Sequence, residues 1–358
     1  MLMMKKRAAL SLLASLLWLA VLLAAQTTQP TPRASAQAAS AQESPSPDAT
    51  RNLERAVARL AGLSGGTLGV SAIHIETGRR VSFNGGERFP MASVYKFPIA
   101  LRLLQRVERG ELSLDDVIKL GEFDFRIGHS PIAEMANNTP VTFTVGRLLE
   151  LMLGESDNTA SDTLLRLAGG PAAVTARLRE LGIKDIDINR PEGQLIMDHR
   201  GVREYPPESQ WTLAMFERLN RNITQAEREA AARRYASDPR DTSSPDAMVA
   251  LLVRLHRREV LTTPANVERV LRIMTETPTG PARLKGLLPA DTIVAHKTGS
   301  MGGTTNDVGL ITLPDGAGHL AIAVFVKASP KEQPERERAI AEIARTIYDY
   351  FVSYPDRK

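Results

Sequence analysis

Short apolar runs of strand length occur only near the two ends of this chain, and the stretch between them carries helical periodicity. Thr67–Ile75 and Arg80–Phe83 read as two strands joined by a Glu76-Thr77-Gly78 turn. Thr292–Lys297, Asn306–Thr312 and His319–Val326 read as three more, with Pro314-Asp315-Gly316 turning the last two. Between these blocks, SVYKFPIALRLLQRVERG, TVGRLLELMLGE and DNTASDTLLRLAG predict a mostly helical stretch from Ser93 to about Ala173. Ser244–Arg258 and Ala265–Glu276 extend it, and Asn52–Leu63 and Pro334–Tyr350 add a helix at either end. Strands need partners, so the two ends must meet in one sheet. The predicted fold is α/β (α+β): an antiparallel sheet built from both chain ends (51–90 and 277–358), flanked by helices, with an inserted helical subdomain (91–276).

The first 50 residues stand outside that pattern. Met1–Arg7 is basic and Ala8–Ala25 is an uncharged run rich in Leu and Ala, which predicts a secretory signal over 1–36 with Ala34-Ser35-Ala36 as the cleavage site. The run is close to the length of a membrane span, which leaves room for an uncleaved anchor. Residues 37–50, rich in Ser, Ala, Pro and Gln, read as a flexible linker. The expected location is therefore periplasmic or secreted. Cys is absent, which excludes a lipoprotein anchor, a disulfide framework, a Cys-ligated zinc and a thiol nucleophile. The net charge of +4 resides in Lys5, Lys6, Arg7 and Arg33, so the remainder is neutral and offers no basic footprint for nucleic acid.

Ser93-Val94-Tyr95-Lys96 is an S-x-x-K motif at a predicted helix start, where positions three apart share a face and the Lys96 amine can reach the Ser93 hydroxyl. A hydroxyl needs an adjacent base to become a nucleophile, and a helix N-terminus offers free N–H groups to a developing oxyanion. Ser156-Asp157-Asn158 follows an apolar helix, and His296-Lys297-Thr298-Gly299 closes an apolar strand. Arg190-Pro191-Glu192 lies between them, 36 positions after Ser156 when counted to the glutamate.

Taken in this order, the motifs resemble those of penicillin-recognising serine enzymes, and with Glu192 those of class A serine β-lactamases. The resemblance runs from about residue 50 to the C-terminus and includes DPRDTSSPDAM at 238–248 and TTNDVGLITLPDG at 304–316. It implies hydrolysis of the β-lactam amide of penicillin- or cephalosporin-type substrates through a Ser93 acyl-enzyme. Lys96 and Glu192 are both candidate bases for acylation. Ser156 would relay a proton to the leaving amine, and Asn158 would bind the acylamido side chain. Lys297, Thr298 and Ser300 would face the substrate carboxylate, with Arg283 assisting or else lying solvated on a loop. Backbone N–H groups of Ser93 and Ser300 would form the oxyanion hole, and Glu192 would activate the deacylating water. Arg190 and Asp241 would close an omega-type loop over 190–241, by an ion pair or by a mere surface contact.

Three positions depart from that pattern. Ile196 stands four residues after Glu192, where the family usually has an amide that helps fix the water, and isoleucine has no hydrogen-bonding group. Asp162 replaces a common asparagine that supports the loop. His129 replaces an aromatic gatekeeper. The loop is also long: 197–237 contains Tyr205-Pro206-Pro207 and NITQAEREAAARRY, helical by composition, whose charges mark a solvated face or, alternatively, a lid over the site. Rival functions are a D-Ala-D-Ala carboxypeptidase or transpeptidase, which needs no Glu192, and a covalent β-lactam sensor with slow deacylation, which Ile196 favours. Gly62-Leu63-Ser64-Gly65-Gly66 matches a nucleophile elbow but follows a helix, so it reads as a helix stop. The six histidines are scattered without metal-ligand spacing, so no metal or other cofactor and no protein partner is expected.

Overall fold

The computed structural model describes residues 47–354; the predicted signal at 1–36 and the first part of the predicted linker lie outside the described residues. Helix α1 (Pro47–Ala61) leads into strands β1 (Thr67–His74), β2 (Arg80–Phe83) and the two-residue β3 (Phe89–Pro90). Then come α2 (Lys96–Glu108), β4 (Val117–Leu120), α3 (Pro131–Ala136), β5 (Val141–Thr144), α4 (Val145–Leu153), α5 (Asn158–Leu167) and α6 (Gly170–Glu180). The loop region holds α7 (Glu192–Arg200), α8 (Leu213–Arg221), α9 (Gln225–Ser237) and the short β6 (Thr242–Ser243). Helices α10 (Pro245–His256) and α11 (Pro264–Thr275), strands β7 (Val294–Met301), β8 (Thr304–Thr312) and β9 (His319–Lys327), and α12 (Gln333–Ser353) complete the order.

The five main strands form one antiparallel sheet, ordered β2-β1-β9-β8-β7, so both chain ends contribute as expected. β9 sits at its centre because both its faces are apolar. Leu320, Ile322, Val324 and Val326 join a core with Leu53 and Val57 of α1 and Ile340, Ile343 and Ile347 of α12. Ala321, Ala323 and Phe325 point the other way, into the larger core of α2, α4, α5 and α10. Gly69 of β1 lets the Phe89 ring approach to where a Cβ would stand 2.5 Å away.

Several local expectations need correction. The stretch read as helical from Ser93 to Ala173 contains a β4–β5 hairpin, with Val117 opposite Thr144 and Leu120 opposite Val141. α1 begins at Pro47, inside the segment expected to be linker, because proline suits the first turn of a helix. β7 and β8 extend through the polar residues at their joining turn. The Gly62–Ser64 turn does end α1: buried Ser64 donates its hydroxyl to Ala61 O at 2.8 Å, and Gly65 takes φ +67°.

Candidate functional site

Ser93 lies in a 3-10 turn (Ala92–Tyr95) that runs directly into α2. The residue before it, Ala92, has φ +46°, a left-handed conformation costing about 1–2 kcal/mol for a residue with a Cβ. Neighbours over-determine it. Met91 N donates to Asp241 O at 3.0 Å, and buried Asn306 Nδ2 donates to Pro90 O at 2.9 Å and Met91 O at 3.0 Å. Gly299 permits edge strand β7 to lie against the turn, since a Cβ there would stand 2.5 Å from Met91 O and 3.2 Å from Ser93 N.

The predicted residues converge around this turn. Fully buried Lys96, at the first position of α2, donates from Nζ to Ser156 O at 2.7 Å, Asn158 Oδ1 at 2.8 Å and Ser156 Oγ at 3.3 Å. Its hydrogen bonds thus go to Ser156 and Asn158 rather than to Ser93. Lys297 Nζ donates to the same Ser156 Oγ at 3.0 Å and to Thr298 O at 3.1 Å. Ser156, held at φ +64° between α4 and α5, therefore places one hydroxyl between two amines. Asp157 fixes that bend by accepting from Ala160 N at 2.7 Å, capping α5, and from Ile132 N at 2.8 Å. Burial pushes the Lys297 pKa well below the usual lysine range, and the Lys96 ammonium adds to the shift while Glu192 opposes it.

Glu192 is the first residue of α7, and its buried Oε2 lies 3.5 Å from Lys96 Nζ without a hydrogen-bond partner in the protein. Asp162 supports it from α5, accepting from Glu192 N at 2.5 Å and Gly193 N at 3.1 Å. Sequence reading missed what holds Asp162. Buried Arg126 donates to it at 2.6 Å, to Phe123 O at 2.9 Å and to Glu208 at 2.7 Å, and lies 5.1 Å from the Trp211 ring centre. No local motif could flag Arg126, because Asp162, Glu208 and Trp211 lie far along the chain.

The loop closure is a buried ion pair rather than a surface contact. Arg190 Nε donates to Asp241 at 2.6 Å, and Nη1 reaches Asp198 at 2.7 Å and Asp238 at 3.1 Å. Burial alone would lower the Arg190 pKa, but the Asp241, Asp198 and Asp238 carboxylates together more than offset this and raise it. Asp241 also accepts from Asn189 N and Arg190 N. Helix α8 of the long insertion packs on α7 around Met197, Val202, Trp211, Met215 and Phe216, and α9 meets α7 where the Tyr235 ring lies 5.1 Å from that of His199.

The cleft beside Ser93 has a volume of about 420 Å³ and is lined by His129, Ser156, Thr279, Thr298, Ser300 and Arg283, among others. The residues lining this cleft come from outside the 197–237 insertion, whose helices α8 and α9 pack against α7. A larger cavity of about 540 Å³ lies between α7 and α9, and Ser93 is not among the residues that line it. Arg283 is buried, not solvated. It donates to Asn306 O at 2.8 Å, Gly299 O at 3.2 Å and Ser300 Oγ at 2.6 Å, and pairs with Glu337 at 3.1 Å, so it reaches the cleft through Ser300. Thr298 Oγ1 donates to Thr279 Oγ1 at 2.9 Å. Asn158 uses its carbonyl on Lys96 and one amide proton on Ile127 O at 2.9 Å. His129 is exposed at the rim, its Nε2 2.9 Å from Glu155 O. Ile196 is buried beside Gly128, where an added Cβ would stand 3.2 Å from its Cδ1.

Residues 52–351 match the model of the β-lactamase enzyme family. β-Lactamase VEB-1 of Pseudomonas aeruginosa is 32% identical over 312 residues, covering 85% of this chain and 92% of that protein. Extended-spectrum β-lactamase PER-1 of the same organism is 32% identical over 79% of this chain and 82% of its own length. Among solved structures, a β-lactamase from Chitinophaga pinensis is 33% identical, with a TM-score of 0.69 over 83% of this chain and 98% of that one.

Proposed function

Because this chain belongs to the β-lactamase enzyme family as a class A serine enzyme, hydrolysing β-lactam antibiotics, we propose that the side chains around Ser93 carry out the two half-reactions as a closed proton circuit. The observation that carries this reading is the isolated Oε2 of Glu192 facing Lys96 at 3.5 Å. As an ammonium, Lys96 has three protons and three acceptors on Ser156 and Asn158, so it has no lone pair with which to accept the Ser93 proton. Glu192 has that capacity. In acylation the Ser93 proton passes through a water to Glu192 as Ser93 Oγ bonds to the lactam carbonyl carbon. The C–N bond breaks, and the amine nitrogen takes the Ser156 hydroxyl proton. Lys96 restores that proton across 3.3 Å, and Glu192 returns one to Lys96 across 3.5 Å.

The N–H groups of Ser93 and Ser300 hold the carbonyl oxygen as it becomes negative, a contribution of about 2.7–4 kcal/mol per donor in comparable sites. Lys297, Thr298 and Ser300 face the substrate carboxylate, with Arg283 positioning Ser300. Asn158 offers its second amide proton to the acylamido group. In deacylation Glu192 takes a proton from water, the hydroxide attacks the ester, and Ser93 leaves with a proton returned to it. Export to the periplasm or the medium is part of the reading, supported by the basic and apolar leader.

Mass spectrometry of variants mixed with a penicillin tests the assignment. Glu192→Ala should form its covalent adduct slowly, because acylation has lost its base, and should then hold one adduct per chain, because deacylation depends on the same carboxylate; Ser93→Ala should show none. A Glu192→Ala protein that turns over at the parent rate overturns the role given to Glu192. Steady turnover of a chromogenic cephalosporin by the parent separates hydrolysis from sensing or transpeptidation, which would give a single burst. Cell fractionation tests export.

A further inference from the structure

At the opposite end of the sheet, three donor side chains from remote parts of the chain face one another. Glu76 lies in the β1–β2 turn, His256 ends α10 and His319 opens β9, and one donor atom from each lies within 4.8 Å of the other two. The His256 and His319 rings are 4.5 Å apart between centres. Glu76 is already oriented: its Oε2 accepts from His319 N at 2.9 Å, which leaves Oε1 at 2.7 Å from His319 Nδ1.

Nearby His74 is not part of the group. Its Nε2 donates to Ala317 O at 2.7 Å, since a carbonyl can only accept, and its Nδ1 shares a hydrogen bond with the Thr77 hydroxyl at 3.0 Å. Both of its nitrogens are used, and it serves as a wall. Glu76, His256 and His319 retain the capacity to bind.

We propose that Glu76, His256 and His319 form a zinc site that ties the β1–β2 turn, the end of α10 and the start of β9 together. Two imidazoles and a carboxylate are a donor set that zinc takes with water as the fourth ligand. Tetrahedral bonds of about 2.0–2.1 Å require donors about 3.3–3.4 Å apart. The Glu76–His319 pair opens slightly from 2.7 Å, and the remaining distances close from at most 4.8 Å. Exposed Glu76 and half-buried His256 can supply that movement by side-chain rotation. The metal takes the place of the proton between Glu76 and His319, and the neutral imidazole keeps its one proton on Nε2. The role is structural. Thr305 and Thr312 of β8 pair with Val326 and His319, so the site lies seven residues, about 23 Å, along the sheet from the Ser300 end.

The test uses purified protein stripped with a chelator and titrated with zinc chloride against a chromophoric competitor, with thermal melts in parallel. One equivalent should bind with Kd below about 10 μM, the melting temperature should rise by RT ln(1 + [Zn]/Kd) linkage, and hydrolysis of a chromogenic cephalosporin should stay unchanged. His256→Ala, His319→Ala and Glu76→Gln should each weaken binding at least tenfold and lose the zinc-dependent rise. Melts without zinc check that each variant is folded. Absence of binding by the parent protein, or parent-like binding by the folded His256→Ala/His319→Ala double variant, overturns the proposal. So does a preference for magnesium or calcium over zinc.

Discussion

Gly299→Ala isolates the contact on which the nucleophile's position depends. The added methyl would stand 2.5 Å from Met91 O, about 0.9 Å inside an ordinary 3.4 Å contact, and 3.0 and 3.2 Å from Val94 N and Ser93 N. All three obstacles are backbone, so no side chain can rotate away. Met91 O is in turn held by Asn306, and Met91 N by Asp241. Either β7 or the turn must therefore move by most of an ångström, and those two pieces are the ones expected to carry the N–H groups of Ser93 and Ser300. A misplacement of about 1 Å costs on the order of 100-fold in rate, and overpacking costs about 1–3 kcal/mol of stability. The assay is kcat/KM with a chromogenic cephalosporin beside urea unfolding. Gly86→Ala provides the control, because a Cβ there meets nothing within 4 Å. A Gly299→Ala enzyme within twofold of the parent in kcat/KM would refute the reasoning.

Other expectations follow from the groups that hold Glu192 and Lys297. Asp162→Ala leaves the buried Arg126 guanidinium without its inner carboxylate and two N–H groups of α7 without an acceptor; urea unfolding should show a loss of about 3–5 kcal/mol. A loss below 1 kcal/mol would contradict the network. Its kcat and its kcat/KM should both fall, because the displaced group is assigned to acylation and to deacylation. The Lys297 pKa is depressed by burial and by Lys96, so the charge that attracts an anionic substrate is present at low pH and is lost well below the ordinary 10.5 as pH rises. KM for a carboxylate-bearing substrate should therefore climb on the alkaline side before pH 10, and a KM flat to 10.5 would count against this.

Chemistry that depends on order along the chain was legible in the sequence. S-x-x-K, S-D-N, K-T-G and the Arg-Pro-Glu start of the long loop are local patterns, and the fold brings all four to one cleft. Strand boundaries were less legible where pairing runs through polar residues. Asn306 and Asp307 are buried on β8 because they serve backbone and His296, which an apolar pattern cannot reveal. The β4–β5 hairpin escaped because VIKL and VTFT are too short for alternation to outweigh helical periodicity. Arg126 and the Glu76–His256–His319 group escaped for a different reason: their meaning lies wholly in tertiary contacts, and spacing-based metal motifs do not describe three ligands on three separate segments.

The long insertion bears on catalysis through the support it gives to α7. In place of an amide four residues after Glu192 the chain has buried Ile196, so that side chain cannot hold the deacylating water. The task then falls on Glu192 itself, and its position is fixed from beneath. Asp162 holds the start of α7, Arg126 holds Asp162, and Glu208 and Trp211 of the insertion hold Arg126. Trp211 also lies against Gly193, where a Cβ would meet its ring at 2.9 Å. From the other side, Arg190 gathers Asp198, Asp238 and Asp241, which brings the two ends of the insertion to one guanidinium. A loop this long would ordinarily loosen the helix it interrupts. Here its own apolar core and these two arginines make it a second layer behind α7, so loss of the insertion should reach the reaction as misplacement of Glu192 and not as opening of the cleft.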